Sequence, residues 1–203
     1  MFIKKIISKG ESTFNDYCCT FDGTDDYIQL NDAFDHNIHT IACWVKINAT
    51  SGDQIIFDNR DENDDGICLK INSDEKVEYQ LNDQDLISAG DPHFVASGVL
   101  ETGVWQHIAA VHTGSLQLIF INGMISSFDV AGSDHDTSVD STSLATIGKS
   151  RIASSGYLNG SIAELAIYNT SFDIPGVNKL YNNRVPMDQN EIPEVANLQA
   201  YYK

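Results

Sequence analysis

The residues of this chain most able to do chemistry are its acids. Residues 58–66 read Asp58-Asn59-Arg60-Asp61-Glu62-Asn63-Asp64-Asp65-Gly66, and Asp61, Asn63, Asp65 and Gly66 follow a D-x-N-x-D-G spacing. Oxygen donors on alternate residues, with a glycine for the sharp turn, suit calcium, a hard cation taking about 6–8 oxygen ligands. In a helix–loop–helix calcium site the twelfth position is a bidentate glutamate. Here it is Asn72, and the residues before it have the pattern of a strand, which excludes that form. Two readings stand: a calcium loop between strands, or a solvated acidic hairpin, the plainer of the two because charge runs usually face water. Asp134-His135-Asp136 could pair an acid with a base, but Gly132, Ser133, Thr137 and Ser138 around it read as a loop. His36 and His39 lack a third metal ligand nearby, and the chain has no glycine-rich phosphate loop and no nucleophile elbow. Tyr79, Phe94, His93 and Tyr157 are available as a platform for a sugar, although aromatic residues of a sandwich more often fill its core.

The elements that must position these residues are short strands. Strand-like runs occur at 17–22, 26–30, 39–48, 54–58, 67–72, 77–81, 94–99, 105–111, 116–121, 124–129, 143–148 and 161–168. Clusters of Gly, Asn, Asp and Ser separate them, the pattern of an all-β sandwich. In the run 116–121, Leu116, Leu118 and Phe120 share one face while Ile119 and Ile121 share the other, so this strand is expected to be central. Asn122-Gly123 follows it, and this pair suits the positive φ values of a type I′ hairpin turn. One or two helical turns are expected at 173–181, with Asp173 as N-cap and Pro175 in the first turn. Pro186 and Pro193 bound a linker, and 195–202 is a last apolar strand. That strand either folds back as an edge of its own sandwich or pairs with a partner subunit.

Composition narrows the classes. The 203 residues suffice for one large sandwich, and the formal charge is -17. Such an acidic surface repels phosphate backbones, so nucleic acid is not expected as a partner. No apolar run has the roughly 18 residues of a membrane helix, so no membrane insertion is expected. Lys4 and Lys5 are followed only by Ile6-Ile7, too short for the apolar region of a signal peptide; either the chain is not secreted by that route, or a signal has been removed or replaced by Met1. Without such a signal, the N-x-S/T sequons at Asn48, Asn159 and Asn169 read as coincidence. Cys18, Cys19, Cys43 and Cys68 form no C-x-x-C and no zinc spacing; free thiols suit assembly in a reducing cytosol, while a Cys18–Cys68 disulfide stays open. The expected division is a basic N-terminal arm at 1–15, a sandwich at 16–182, and a Pro-bounded linker with a C-terminal strand at 183–203.

Several segments together resemble the laminin-G-like (pentraxin-like) branch of the concanavalin A-like lectin/glucanase superfamily. They are Phe21-Asp22-Gly23-Thr24-Asp25-Asp26-Tyr27, Thr40-Ile41-Ala42-Cys43-Trp44-Val45, Trp105-Gln106-His107-Ile108-Ala109 with Asn122-Gly123, Ile147-Gly148, and Gly160-Ser161-Ile162-Ala163-Glu164-Leu165-Ala166-Ile167-Tyr168. The resemblance spans roughly residues 17–181 and implies a two-sheet antiparallel jelly-roll β-sandwich. It also implies a structural calcium ion held between Asp22, Gly23, Asp25 and Asp26 on one side and Gly160 and Glu164 on the other. Glu164 fits that set as a lone carboxylate in an apolar strand; the alternative is that it faces solvent. Related glucanases carry an E-x-D-x-x-E strand, which is missing here, so no catalysis is expected, and His107 reads as structural.

The function expected is non-enzymatic binding or adhesion, to a glycan or glycoprotein, at an exterior surface. The free cysteines, the absent signal and the basic arm favour a component of a phage virion over a secreted protein. Other virion subunits or further copies of the chain are then expected partners. The competing class is a purely structural virion protein (decoration, fibre or capsid-associated) with the sandwich as scaffold, and a polysaccharide-active enzyme is third.

Overall fold

A computed structural model describes residues 18–48, 52–63, 65–82, 94–130, 139, 141–186, 188, 190 and 192–203. The basic arm, the Asp134-His135-Asp136 segment and His93 lie outside the described residues. Among the described residues thirteen strands, numbered in chain order, form two antiparallel sheets. The larger runs β1 (Cys19–Asp22), β12 (Asn159–Tyr168), β3 (His39–Ile47), β8 (Gln106–His112), β9 (Leu116–Ile121), β10 (Met124–Val130). The smaller runs β2 (Ile28–Gln29), β11 (Thr146–Ile147), β4 (Gln54–Asp58), β5 (Ile67–Ile71), β6 (Lys76–Leu81), β7 (Phe94–Val99). The expected two-sheet jelly-roll sandwich is what forms, because strands with alternating apolar residues must bury one face each.

The main core fills the space between the sheets. Ile41, Cys43 and Val45 of β3, Ile108 and Ala110 of β8, and Ile119 of β9 face Phe57, Leu69, Val77 and Tyr79 of the smaller sheet. A second core covers the outer face of the larger sheet. There Val111, Phe120, Ala166 and Tyr168 pack against Val177 and Leu180 of α1 (Ile174–Tyr181). Burial on both faces explains why β9 is apolar on both faces apart from Gln117, and it lies between β8 and β10. The Asp173 carboxylate caps α1 by accepting from Gly176 N at 2.8 Å.

Asn122 and Gly123 both have positive φ, 53° and 78°, as a type I′ turn requires. Asn122 also ties this turn to β8: its N–H donates to His107 O, and its Oδ1 accepts from His107 N. The His107 ring sits edge-on to Trp44 beneath Tyr181, and burial pushes its pKa down to about 3. The ring is neutral and structural.

The C-terminal segment folds back on its own sandwich. β13 (Leu198–Tyr202) pairs antiparallel with β12, from Leu165 opposite Tyr202 to Tyr168 opposite Leu198. β1 pairs with the other half of the same edge, from Cys19 opposite Ile162 to Asp22 opposite Asn159. One long strand therefore carries two short edge strands, one from each end of the described chain.

Candidate functional site

The acidic turn after β1 is the first candidate. The carboxylate oxygens of Asp22, Asp25 and Asp26 lie within 4.8 Å of one another. The turn is held by Asp22 Oδ1, which accepts from Thr24 N at 2.8 Å and Asp25 N at 3.2 Å. Gly23 is at φ 78°, and a Cβ there would lie 2.8 Å from Asn159 Cβ, so the turn rests directly on the start of β12. Gly160, opposite Phe21, serves a different close approach, that of β3, since a Cβ on it would strike the Lys46 carbonyl oxygen. Three carboxylates held this close repel one another unless a cation lies between them, and hard oxygen donors fit calcium. Asp22, Asp25 and Asp26 would hold it, and the ion would pin the turn to the sandwich.

Glu164 does not join this cluster. It lies five residues beyond Asn159 on β12, roughly 15 Å along an extended strand. The strand bulges there: Ala163 pairs with Trp44 but Ala166 with Ala42, and Glu164 takes φ 54°. The bulge lies where β1 has ended and β13 begins, so Glu164 is buried beside the end of the chain. Burial raises its pKa to about 7, against the pull of Lys203 and with a further push from Asp188.

The alternative loop closes on itself. Asp61 Oδ1 accepts from Asn63 N at 2.8 Å and Asp65 N at 3.2 Å, and Asp61 N donates to Asp65 O. Among the described residues, its acids form no cluster of three. His39 and Tyr79 are internal: His39 Nε2 bonds the Tyr79 hydroxyl, and burial pushes the imidazole down to about 3. Tyr79 is therefore not a sugar platform. Cys43 and Cys68 are buried free thiols; burial pushes the Cys43 thiol up to about 12.

A network that sequence reasoning missed lies on the outer face of the smaller sheet. Asp58, Cys68 and Gln80 line up across β4, β5 and β6. Arg60 donates from Nε and Nη2 to the two oxygens of Asp58, at 3.0 and 2.9 Å, and from Nη1 to Gln80. Asp58 Oδ1 also accepts from Arg60 N, and Oδ2 from Arg151 N at 3.0 Å. Lys70 bridges Asp53 and Glu78, each at 2.9 Å. Asp58, Asp53 and Glu78 are thus all paired with cations.

This network anchors an exposed rim. The bond from Arg151 N fixes the loop at 149–157, and Ser150 N to Ser155 O and Ala153 N to Ser150 Oγ tighten it. Above it Lys149 Nζ lies 4.6 Å from the ring centre of Tyr27 and 5.8 Å from that of Tyr157. Tyr27 follows Asp25 and Asp26 directly, so the aromatic pair borders the acidic turn. Further along β2, a cavity of about 460 Å³ opens between the sheets, lined by Asn31, Asp32, Gln199, Tyr201 and Tyr202 among others.

The family model described as the concanavalin A-like lectin/glucanases superfamily matches residues 22–174. The chain belongs to this superfamily. No curated protein sequence matches it. Among solved structures, a Bacteroides ovatus ATCC 8483 protein named for carbohydrate binding superposes with a TM-score of 0.64 at 17% identity. That match covers 92% of this chain but 50% of the other. The heptameric SAP-like pentraxin of Limulus polyphemus gives 0.59 at 15% identity, covering 80% of each chain. The CBM40 of a Ruminococcus gnavus sialidase, solved with α2,3-sialyllactose, gives 0.59 at 13%, covering 77% of this chain and 97% of that one. At these identities the likeness is one of fold. No helix among the described residues is long and apolar enough to cross a membrane.

Proposed function

We propose that the chain is a non-catalytic module that binds a glycan or glycoprotein along its β2 edge, with calcium as a structural ion in the acidic turn. The observation that carries this reading is the rim where Tyr27 and Tyr157 flank Lys149 beside Asp25 and Asp26. Sugar sites combine an aromatic face for the apolar side of the ring with polar groups for its hydroxyls. Tyr27 is 41% exposed, although most large aromatic side chains of this sandwich are buried. Folds shared with a carbohydrate-binding module and a pentraxin support the reading without assigning a ligand.

The module is proposed to act on an exterior surface, as part of a particle such as a phage virion. Buried free thiols at Cys43 and Cys68 suit assembly in a reducing compartment. A glycan array probed with the purified protein, with and without 1 mM calcium, tests the binding. Tyr27→Ala should abolish the signal, whereas Tyr201→Ala would do so if the cavity is the site instead. An empty array, with stable co-purification of other particle proteins, would replace this reading with the scaffold role.

A further inference from the structure

We infer that the ligand at this rim carries a carboxylate, as uronic and sialic acids do, and that Lys149 and Arg151 bind it. The inference rests on the glycan-binding reading and names the chemical class of its ligand.

Charge accounting motivates it. The chain has 29 acids and 12 Lys and Arg residues, so a cation here has many acids to choose from. Four of the described cations have taken one. Arg60 holds Asp58, Lys70 holds Asp53 and Glu78, Lys179 holds Glu194, and Lys203 holds Asp188. Lys149 and Arg151 share one loop, and among the described residues neither has an acidic partner. The contacts of Lys149 are the two tyrosine rings, which attract its ammonium without neutralising it. The Nε of Arg151 is buried with no acceptor, although a guanidinium donor taken from water ordinarily finds one. Among the described residues none supplies that acceptor.

Geometry makes the pair a site. The Arg151 backbone is fixed to Asp58 Oδ2, and Arg60 locks that carboxylate in turn. The loop is therefore pre-organised, so binding an anion there costs little ordering. A guanidinium fork matches the two oxygens of a carboxylate, and an ammonium two residues away adds a second charge. Tyr27 and Tyr157 stand beside it to receive the sugar ring. The strongly negative body otherwise repels acidic glycans, so a local cationic pair would let this rim select them.

Isothermal titration in 1 mM calcium chloride tests the inference with matched probes: 3′-sialyllactose against lactose, trigalacturonate against galactotriose, and lactose 3′-sulfate for a sulfate in place of the carboxylate. The expected result is that at least one carboxylated sugar binds about tenfold or more tighter than its neutral counterpart. That preference should shrink between 50 and 500 mM NaCl. It should vanish in Arg151→Gln and weaken in Lys149→Gln, which alters only the exposed rim and serves alone if the first variant melts early. Equal or tighter binding of the neutral sugars overturns the inference and leaves the glycan-binding reading standing. Tighter binding of the sulfate, or a preference that survives both substitutions, overturns it as well. Failure of every probe, charged and neutral, at millimolar concentration overturns both.

Discussion

Asp58 has no exposed surface, and its carboxylate is paired with one guanidinium. Burying a charge is tolerable only when it is paired and its lone pairs are filled, and Arg60 with the Arg151 amide does both. Truncating Arg60 to Ala would leave that carboxylate buried without its cation. The expected cost is about 3–5 kcal/mol, read by chemical denaturation at pH 7. Loss of the Asp58–Arg151 bond should also free the 149–157 loop and weaken ligand binding. A cost below about 1 kcal/mol would show that water replaces Arg60 and that the network is not what fixes the rim.

Glu164 is the opposite case, a buried carboxyl whose protonated form is favoured. Its pKa rises from 4.5 to about 7 because burial disfavours the charge. The folded protein therefore holds a proton that the unfolded chain releases. The sign follows from linkage: the benefit of protonation is complete below about 4.5, fades as pH rises, and is gone above about 7. Glu164→Gln keeps the shape and removes the charge. The variant should melt no higher than the parent at pH 4.5 and clearly higher at pH 8. Equal melting temperatures across that range would mean that Lys203 neutralises the carboxylate.

At the scale of elements, β12 organises the larger sheet. It pairs with β3 along one edge and with β1 and β13 on the other. Removing residues 198–203 would uncover half of that second edge and the apolar groups Ala200, Tyr201 and Tyr202 pack against. Exposed edges of this kind template aggregation. The truncated chain should melt at a lower temperature and sediment as oligomers; a monomer of unchanged stability would show that β13 is dispensable.

Most of these elements could be read from the chain, because period-two apolar alternation and Asn-Gly or Gly-Ser breaks are local signals. β9 and the Asn122-Gly123 turn were legible for that reason. Whether the last strand folded back was not, since an apolar edge strand pairs equally well with its own sheet or another. The acidic turn was legible from Asp22, Gly23, Asp25 and Asp26 with the resemblance that places them. Glu164 was misleading, because the bulge and the handover from β1 to β13 depend on strands distant in sequence. The Asp58–Arg60–Gln80 network and the Lys149–Tyr27–Tyr157 rim were invisible for the same reason. Cross-strand register alone brings residues 27, 58, 80 and 149–157 to one side.

At the scale of the whole molecule, the net charge of -17 means that like charges oppose the compact state. Raising NaCl from 20 to 200 mM should raise the melting temperature by screening alone, since the Debye length shortens from roughly 20 Å to under 10 Å. This general effect must be separated from a bound ion. At 150 mM NaCl, 1 mM calcium chloride adds little ionic strength, so any further rise reports binding. A ligand that binds only the folded state stabilises by mass action, about 2.7 kcal/mol at a concentration of 100 Kd. Calcium should therefore raise the melting temperature by several degrees where an equal concentration of magnesium raises it less, because magnesium gives up its water reluctantly. Asp25→Asn should remove the calcium-specific gain and keep the screening gain. Glu164→Gln should keep both, since that carboxylate lies at the other end of the β12 edge. A gain that disappears in Glu164→Gln would relocate the ion to the β12–β13 junction, and equal gains from calcium and NaCl at matched ionic strength would reduce the acidic turn to surface charge.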